Sequence, residues 1–442
     1  MVVLAPSATL LLLGLSLLGL LPASRGNTCN QLADERYVRC GANPLQRAGQ
    51  YHSDERLYEI SIGDPDVQYD AVSRQWHAWW STGLASSYTA AKQAMGIKHA
   101  VSADGVRFEP TLAPVLRTAA SPTAWDHSKA ETPTVVRLPP AIRTPERQWL
   151  MLYSGGNDGA PRPAGITYTW YQIGAAFSAD GESFTKISAA ESPYAGKATP
   201  YSGSIKGLVL LGRDAFPGVA GVADGLVADP ELVVDPDGTT LHLFFSSEAI
   251  DSRGTPLKYG VSHATSQDGV HWVVSPGNPV RATPSLSWAT RTPLTPRTQA
   301  ISGGSGPSVV RGTSAGFQLF FLQDSAQDKA KIPTTFNPEL GVWAANASSL
   351  AGPWRRSGSG QGLGGREVSW DASVPTEGPG WIATGDMAWN APGGERRWYY
   401  VAFDVTPPIL SGWVAPVHPS LRNPLGLEPA MIALSMMHRG AA

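Results

Sequence analysis

Six carboxylates stand at or beside short, similar tetrapeptides. Asp64 and Asp66 flank Pro65, Asp229 and Glu231 flank Pro230, Glu131 lies two residues ahead of Pro133, and Asp386 follows Thr384-Gly385. If these segments are strands, residues two apart share a face, so Asp64 and Asp66 are expected to point one way together, as are Asp229 and Glu231. Carboxyl groups crowded into one concave site do not all ionise readily, and one keeps its proton while a neighbour stays charged. That is the equipment for acid–base work on an acetal: one carboxyl protonates a leaving oxygen and another activates water or attacks the sugar. A plainer reading stands beside it, because an Asp ahead of Pro also caps turns through backbone amides. A hard cation, calcium or sodium, is a possible occupant of such an acidic cluster, since these ions take oxygen ligands. No other cofactor is expected.

The elements that would hold these residues repeat along the chain. Each unit opens with a tetrapeptide, Asp64-Pro65-Asp66-Val67, Thr132-Pro133-Thr134-Val135, Asp229-Pro230-Glu231-Leu232 and Gly306-Pro307-Ser308-Val309, with Thr384-Gly385-Asp386-Met387 as a less regular fifth. An aromatic strand follows (WHAWWSTG from Trp76, WLMLYSGG from Trp149, LHLFFSS from Leu241, FQLFFLQDS from Phe317, WYYVAFD from Trp398). In the first three units another strand runs into a Ser-x-Asp-Gly turn, at Ser102, Ser178 and Ser266, whose Asp104, Asp180 and Asp268 are structural. Apolar and β-branched runs punctuated by Gly and Pro read as strands. Several strands per unit, repeated five times, predict an all-β fold, a five-bladed β-propeller over residues 51–442. Residues 55–62 are expected to close the last blade from the other terminus, with residues 430–437 as a late strand of the same blade. In this fold the first strand of each blade lines the central channel, which brings the carboxylates, with Thr134 and Ser308 at equivalent openings, towards one axis.

Composition agrees. The 442 residues carry 47 Gly, 37 Pro and 15 Trp, and only 16% are charged. Collagen, coiled coil and disorder are excluded. Lys plus Arg is 34 against 36 Asp plus Glu, so nothing in the overall charge favours nucleic acid. Residues 10–21 are an apolar run followed by small residues, which predicts a signal peptide over 1–26 and a secreted or periplasmic protein, with no membrane span once it is cleaved. The two cysteines, Cys29 and Cys40, are expected to pair within an N-terminal segment, 27–50. No His-Glu-x-x-His, Cys-x-x-Cys or Gly-x-Ser-x-Gly occurs, so neither a transition-metal site nor a serine-hydrolase elbow is supported. Trp80 and Trp125 are candidate sugar-stacking residues, Trp125 more so because it falls in a connecting loop together with Trp170 and Trp288.

These openings, with the closing turns Ser102 to Phe108, Ser178 to Phe184 and Ser266 to Trp272, resemble the five-bladed propeller glycosidases, the arabinanase, xylosidase and levansucrase-like superfamily that includes glycoside hydrolase family 43. The resemblance covers roughly residues 60–405. It implies a carbohydrate substrate, a monomer, inverting hydrolysis and three acids. Asp64 matches the general base. Thr134 stands where the resemblance places a tuning carboxylate, leaving Glu131 or Asp386 for that role. Glu231, or Asp229 in its stead, matches the general acid. The same propeller could also serve a phosphorylase or a noncatalytic carbohydrate- or partner-binding protein.

Overall fold

The computed structural model describes residues 57–85, 94–111, 113–163, 169–280 and 282–283, with further segments at 38–39, 46–47, 51–52, 308–311, 316–323, 341–356, 381–388, 396–403 and 431–437. The leader, the cysteine pair and Trp288 lie outside the described residues. The described strands form five sheets, each built around antiparallel neighbours, with one short parallel pairing at the edge of the fourth. The first strands are Leu57–Asp70, Lys129–Arg137, Asp224–Val234, Ser308–Arg311 and Trp381–Ala388. Each touches the next, and the fifth touches the first, so they close a ring. This is the five-bladed β-propeller.

The strands form where the sequence is most apolar because both faces of a blade are covered. Every residue of Trp149–Gly156 and of Gln172–Ser178 is buried. Alternate side chains feed the cores on either side of a blade. Leu152 packs with Leu232, Leu243 and Phe245 between blades two and three, while Met151 and Tyr153 pack with Trp79 and Ile97 between blades one and two. Phe244, turned the other way from its neighbours, packs with Leu319, Ala345 and Trp354 between blades three and four. The three Ser-x-Asp-Gly turns are alike. The serine hydroxyl accepts the glycine N–H at 2.8–2.9 Å, the aspartate accepts the next two amides, and the glycines hold φ of 71°, 82° and 77°. Positive φ is the reason for glycine there.

Ring closure differs from the sequence expectation in one respect. The late strand, Met431–Met437, does belong to blade five, next to Arg396–Phe403. Residues 57–62 do not; they are the start of the 14-residue first strand of blade one. Blade five is completed instead by Val38–Arg39 and Gln46–Arg47, both paired with Met431–Met437. Two short strands of the segment set apart as an N-terminal preface thus belong to the propeller.

Candidate functional site

Each described first strand carries a one-residue bulge at its opening tetrapeptide in blades one, two, three and five. Gly63 pairs with Ser81 and Asp66 with Trp79; Glu131 with Ser154 and Thr134 with Leu152; Ala228 with Ser246 and Glu231 with Phe244; Ile382 with Ala402 and Gly385 with Tyr400. In each case two residues of the first strand face one of its partner, which bends the strand and re-aims its side chains. The first bulged residue is Asp64, Thr132 or Asp229, at φ of 50°, 48° and 50°. A left-handed conformation costs a non-glycine residue about 1–2 kcal/mol. It recurs at three equivalent openings, each followed by proline, so the surrounding hydrogen bonds must hold it.

Those bonds run from blade to blade. Ser81 donates to Asp64 Oδ2 at 3.0 Å and accepts the backbone N–H of Thr132 at 2.7 Å. One blade on, Ser154 is hydrogen-bonded to the Thr132 hydroxyl and accepts the N–H of Asp229 at 2.9 Å. Ser246 occupies the same place in blade three. The bulged residue of one blade is therefore tethered to a serine of the blade before it.

The second residue along makes a different tie. Asp66 Oδ2 accepts the N–H of Val135 at 2.5 Å, and Thr134 Oγ1 accepts the N–H of Leu232 at 2.9 Å. Both are side chains of one blade latched to the backbone of the next, and both are buried. The expected shared face of Asp64 with Asp66 does not arise, because the bulge breaks the two-residue alternation. Glu231 stands in this latch register, opposite Phe244, and is itself buried. Asp386 falls one place further on, at the register of Val67, Val135 and Leu232, rather than opposite Asp66. Asp386 and Ser308 are placed by their backbones alone, Ser308 opposite Phe320.

At the opening of blade two Glu131 meets a residue the sequence reading passed over. The Tyr171 hydroxyl donates to Glu131 Oε2 at 2.7 Å, and Lys129 Nζ lies 3.3 Å from Oε1 of the same carboxylate. Burial pushes the Tyr171 phenol well above the ordinary tyrosine range; the charge of Glu131 and its hydrogen bond add to this, then the charges of Asp229 and Asp64. Tyr171 ends the Gly- and Pro-rich stretch 157–170, immediately before the strand Gln172–Ser178, and its carbonyl accepts the N–H of Val227 in blade three. No spacing rule singles it out, because its partners come from elsewhere in the chain.

Trp80 and Trp125 do not serve as stacking platforms. Trp125 is fully buried, donates its indole N–H to the Lys206 carbonyl at 2.8 Å, and lies beside Tyr153. Tyr153 and Lys186 both bond the buried Asp126 next to it. Trp80 is 1% exposed and donates to Glu59 Oε1, which also accepts the Thr82 hydroxyl. Lys98, buried with them, has its Nζ 3.9 Å from Glu59 Oε2, and burial lowers its pKa while Glu59 partly restores it. Trp125 packs in the core between blades one and two and Trp80 is buried among groups of blade one, and their polar tips find partners inside. Trp170 is also buried. Among the described residues, no group of three His, Cys, Asp or Glu side chains is arranged to hold a metal ion. Nor, among them, is any helix long and apolar enough to cross a membrane.

No family model matches the sequence and no curated protein matches it. Solved structures do. A structure described as a complex of BT0996 with RGII is 12% identical with a TM-score of 0.51, over 90% of this protein and 92% of that one. A structure described as a glycoside hydrolase is 13% identical with a TM-score of 0.51, over 90% and 94% of the two proteins. One from Parabacteroides distasonis ATCC 8503, also assigned as a glycoside hydrolase, is 13% identical with a TM-score of 0.50, over 94% and 99%. At such identity the likeness is one of fold: the five-bladed propeller of this protein is shared with solved glycoside hydrolases.

Proposed function

We propose that this protein is an exported glycoside hydrolase, with its reaction carried out where the openings of the first three blades meet. The observation that carries the reading is the hydrogen bond of the Tyr171 hydroxyl to Glu131, whose other oxygen meets Lys129, at the opening of blade two, with Asp64 and Asp229 at the equivalent bulges of blades one and three. Three acids from three blades is also what the sequence resemblance implies, and the fold is one that solved glycoside hydrolases use. The substrate is a carbohydrate. Asp229 takes the general acid's role in place of Glu231, whose register is that of the latch residues Asp66 and Thr134. Asp64 keeps the role of the complementary carboxylate, and Glu131 is the third. The apolar run at residues 10–21 supports export.

A second reading, a propeller that binds sugar without turnover, is favoured by the Ser81–Asp64 hydrogen bond, which engages one carboxylate oxygen in blade-to-blade tethering. Hydrolysis of an aryl-glycoside and plant-polysaccharide panel separates the two. Wild-type turnover that disappears in Asp64→Asn and Asp229→Asn, with folding intact, supports the hydrolase and its two acids. Turnover that survives both removes this assignment. Sugar binding with no turnover on any glycoside selects the binding propeller.

A further inference from the structure

We propose, resting on the hydrolase reading above, that Ser81 is a positioning residue for the reaction. It holds the Asp64 carboxylate in place relative to the Asp229 bulge, through a hydrogen-bonded relay that runs by way of Thr132 and Ser154. Ser81 lies on the second strand of blade one, opposite Gly63 and so beside the bulge that carries Asp64. Its hydroxyl has one hydrogen to give and two lone pairs that accept. The Thr132 N–H takes a lone pair from 2.7 Å, and the hydrogen goes to Asp64 Oδ2 at 3.0 Å. The carboxylate is thereby set against the backbone of blade two, by a bond that its charge strengthens. Ser154 repeats the arrangement one blade on. It lies opposite Glu131, beside the next bulge, is hydrogen-bonded to the Thr132 hydroxyl, and accepts the Asp229 N–H at 2.9 Å. Thr132 is therefore joined through its amide towards Asp64 and through its side chain towards Asp229.

Burial divides the relay in the same way. Ser81 and Ser154 are buried, whereas Asp64, Thr132 and Asp229 are each half-buried. The holders lie inside the propeller, and the residues they hold reach its surface. Any acceptor in the place of Ser81 would satisfy the Thr132 amide. The donation to Asp64 is a further bond, and it orients the group that has to face water and sugar. In inverting hydrolysis the two carboxyl groups must stand far enough apart to admit a water on one face of the sugar ring. A misplacement of about 1 Å costs on the order of 10²-fold in rate. Tying the bulges of blades one and three to the blade between them fixes that spacing, with Ser81 acting through Asp64 alone.

The test uses the full-length protein and a glycoside it hydrolyses. Ser81→Ala is expected to lower kcat by about 10²-fold while KM stays within about threefold of the parent. Ser81→Thr keeps the hydroxyl and is expected to bring kcat back to within about tenfold. Ser81→Cys, close in size but a weak donor, is expected to fall between them. Thr132→Val removes the side-chain link to Ser154 and leaves every backbone amide in place; it is expected to lower kcat by about tenfold. Parental kcat in a folded Ser81→Ala, Ser81→Cys or Thr132→Val overturns the proposal. A loss in Ser81→Ala that Ser81→Thr shares, with the same fall in melting temperature, overturns it too, because the serine then only supports the fold. Failure of both Ser81→Ala and Ser81→Cys to fold has the same meaning. In all of these cases wild-type turnover leaves the hydrolase reading standing. A wild-type protein that hydrolyses no glycoside removes the hydrolase reading, and this proposal with it.

Discussion

The carboxylate of Asp66 accepts the backbone N–H of Val135 across the boundary between blades one and two, at 2.5 Å. One blade on, the hydroxyl of Thr134 does the same for Leu232, at 2.9 Å. Two different side chains at the same register perform the same task, which argues that the position joins blades rather than binding a ligand. Gln68 Nε2, at 3.2 Å, satisfies the other oxygen of Asp66.

Asp66→Ala is therefore expected to destabilise the fold. It leaves the N–H of Val135 buried without its acceptor, a loss of about 1–3 kcal/mol. Asp66→Asn, which retains an acceptor oxygen, is expected to recover part of that. Urea unfolding of the two variants checks this. Unchanged stability combined with lost sugar binding would return Asp66 to the site.

Trp125→Ala is expected to cost about 3–5 kcal/mol, the range for removing a large core aromatic. The indole is closely enclosed: a Cβ placed on Gly174 would lie 2.7 Å from it. A variant that still folds is expected to bind sugar as the parent does, which calorimetric titration would read. Loss of binding at full stability would restore Trp125 as a contact residue.

Stability is expected to fall with acid below pH 6.5. His77 and His99 lie 3.0 Å apart between ring nitrogens, and His242 and His263 lie 2.9 Å apart. All four have lowered pKa values, burial being the largest cause; His99 and His263 come down to about 3. In the unfolded chain they take up protons near pH 6.5, while in the fold they stay neutral. The unfolded state therefore binds more protons as pH falls, and the fold loses up to about 1.4 kcal/mol per pH unit for each such histidine until its folded pKa is reached. In blade two the equivalent register holds Leu150 and Ala175. The double variant His77→Leu, His99→Ala should thus show a shallower decline between pH 6.5 and 4 when urea midpoints are compared. An equally steep decline would place the acid sensitivity elsewhere.

Glu131→Gln is expected to abolish turnover while leaving the melting temperature close to that of the parent, because the amide still accepts the Tyr171 hydroxyl through its carbonyl. Steady-state rates together with a thermal melt decide this. Turnover close to normal would remove Glu131 from the reaction.

The repeat was legible because it is local. The opening tetrapeptides, the aromatic strands and the Ser-x-Asp-Gly turns each draw on neighbours within a few residues, and hydropathy and turn chemistry mark them. The five blades, the structural role of Asp104, Asp180 and Asp268, and the carboxylates at the openings all followed from that. Which carboxylates meet did not. A single extra residue in each bulge shifts the alternation of everything after it, so Asp66 and Thr134 turn to the next blade and Asp64 is tied to Ser81. A period-two reading has no means of placing that break. Tyr171 entered the site through the folding of blade two: its hydroxyl meets Glu131, 40 residues earlier in the chain, a contact that exists only once the strands of that blade are assembled. Closure itself is the most non-local feature, since Val38–Arg39 must find Met431–Met437 from the opposite end of the chain. Sequence alone determined the kind of blade and the supply of acids. The bulges and the packing of one blade on the next decided which acids share a site and which hold the propeller together.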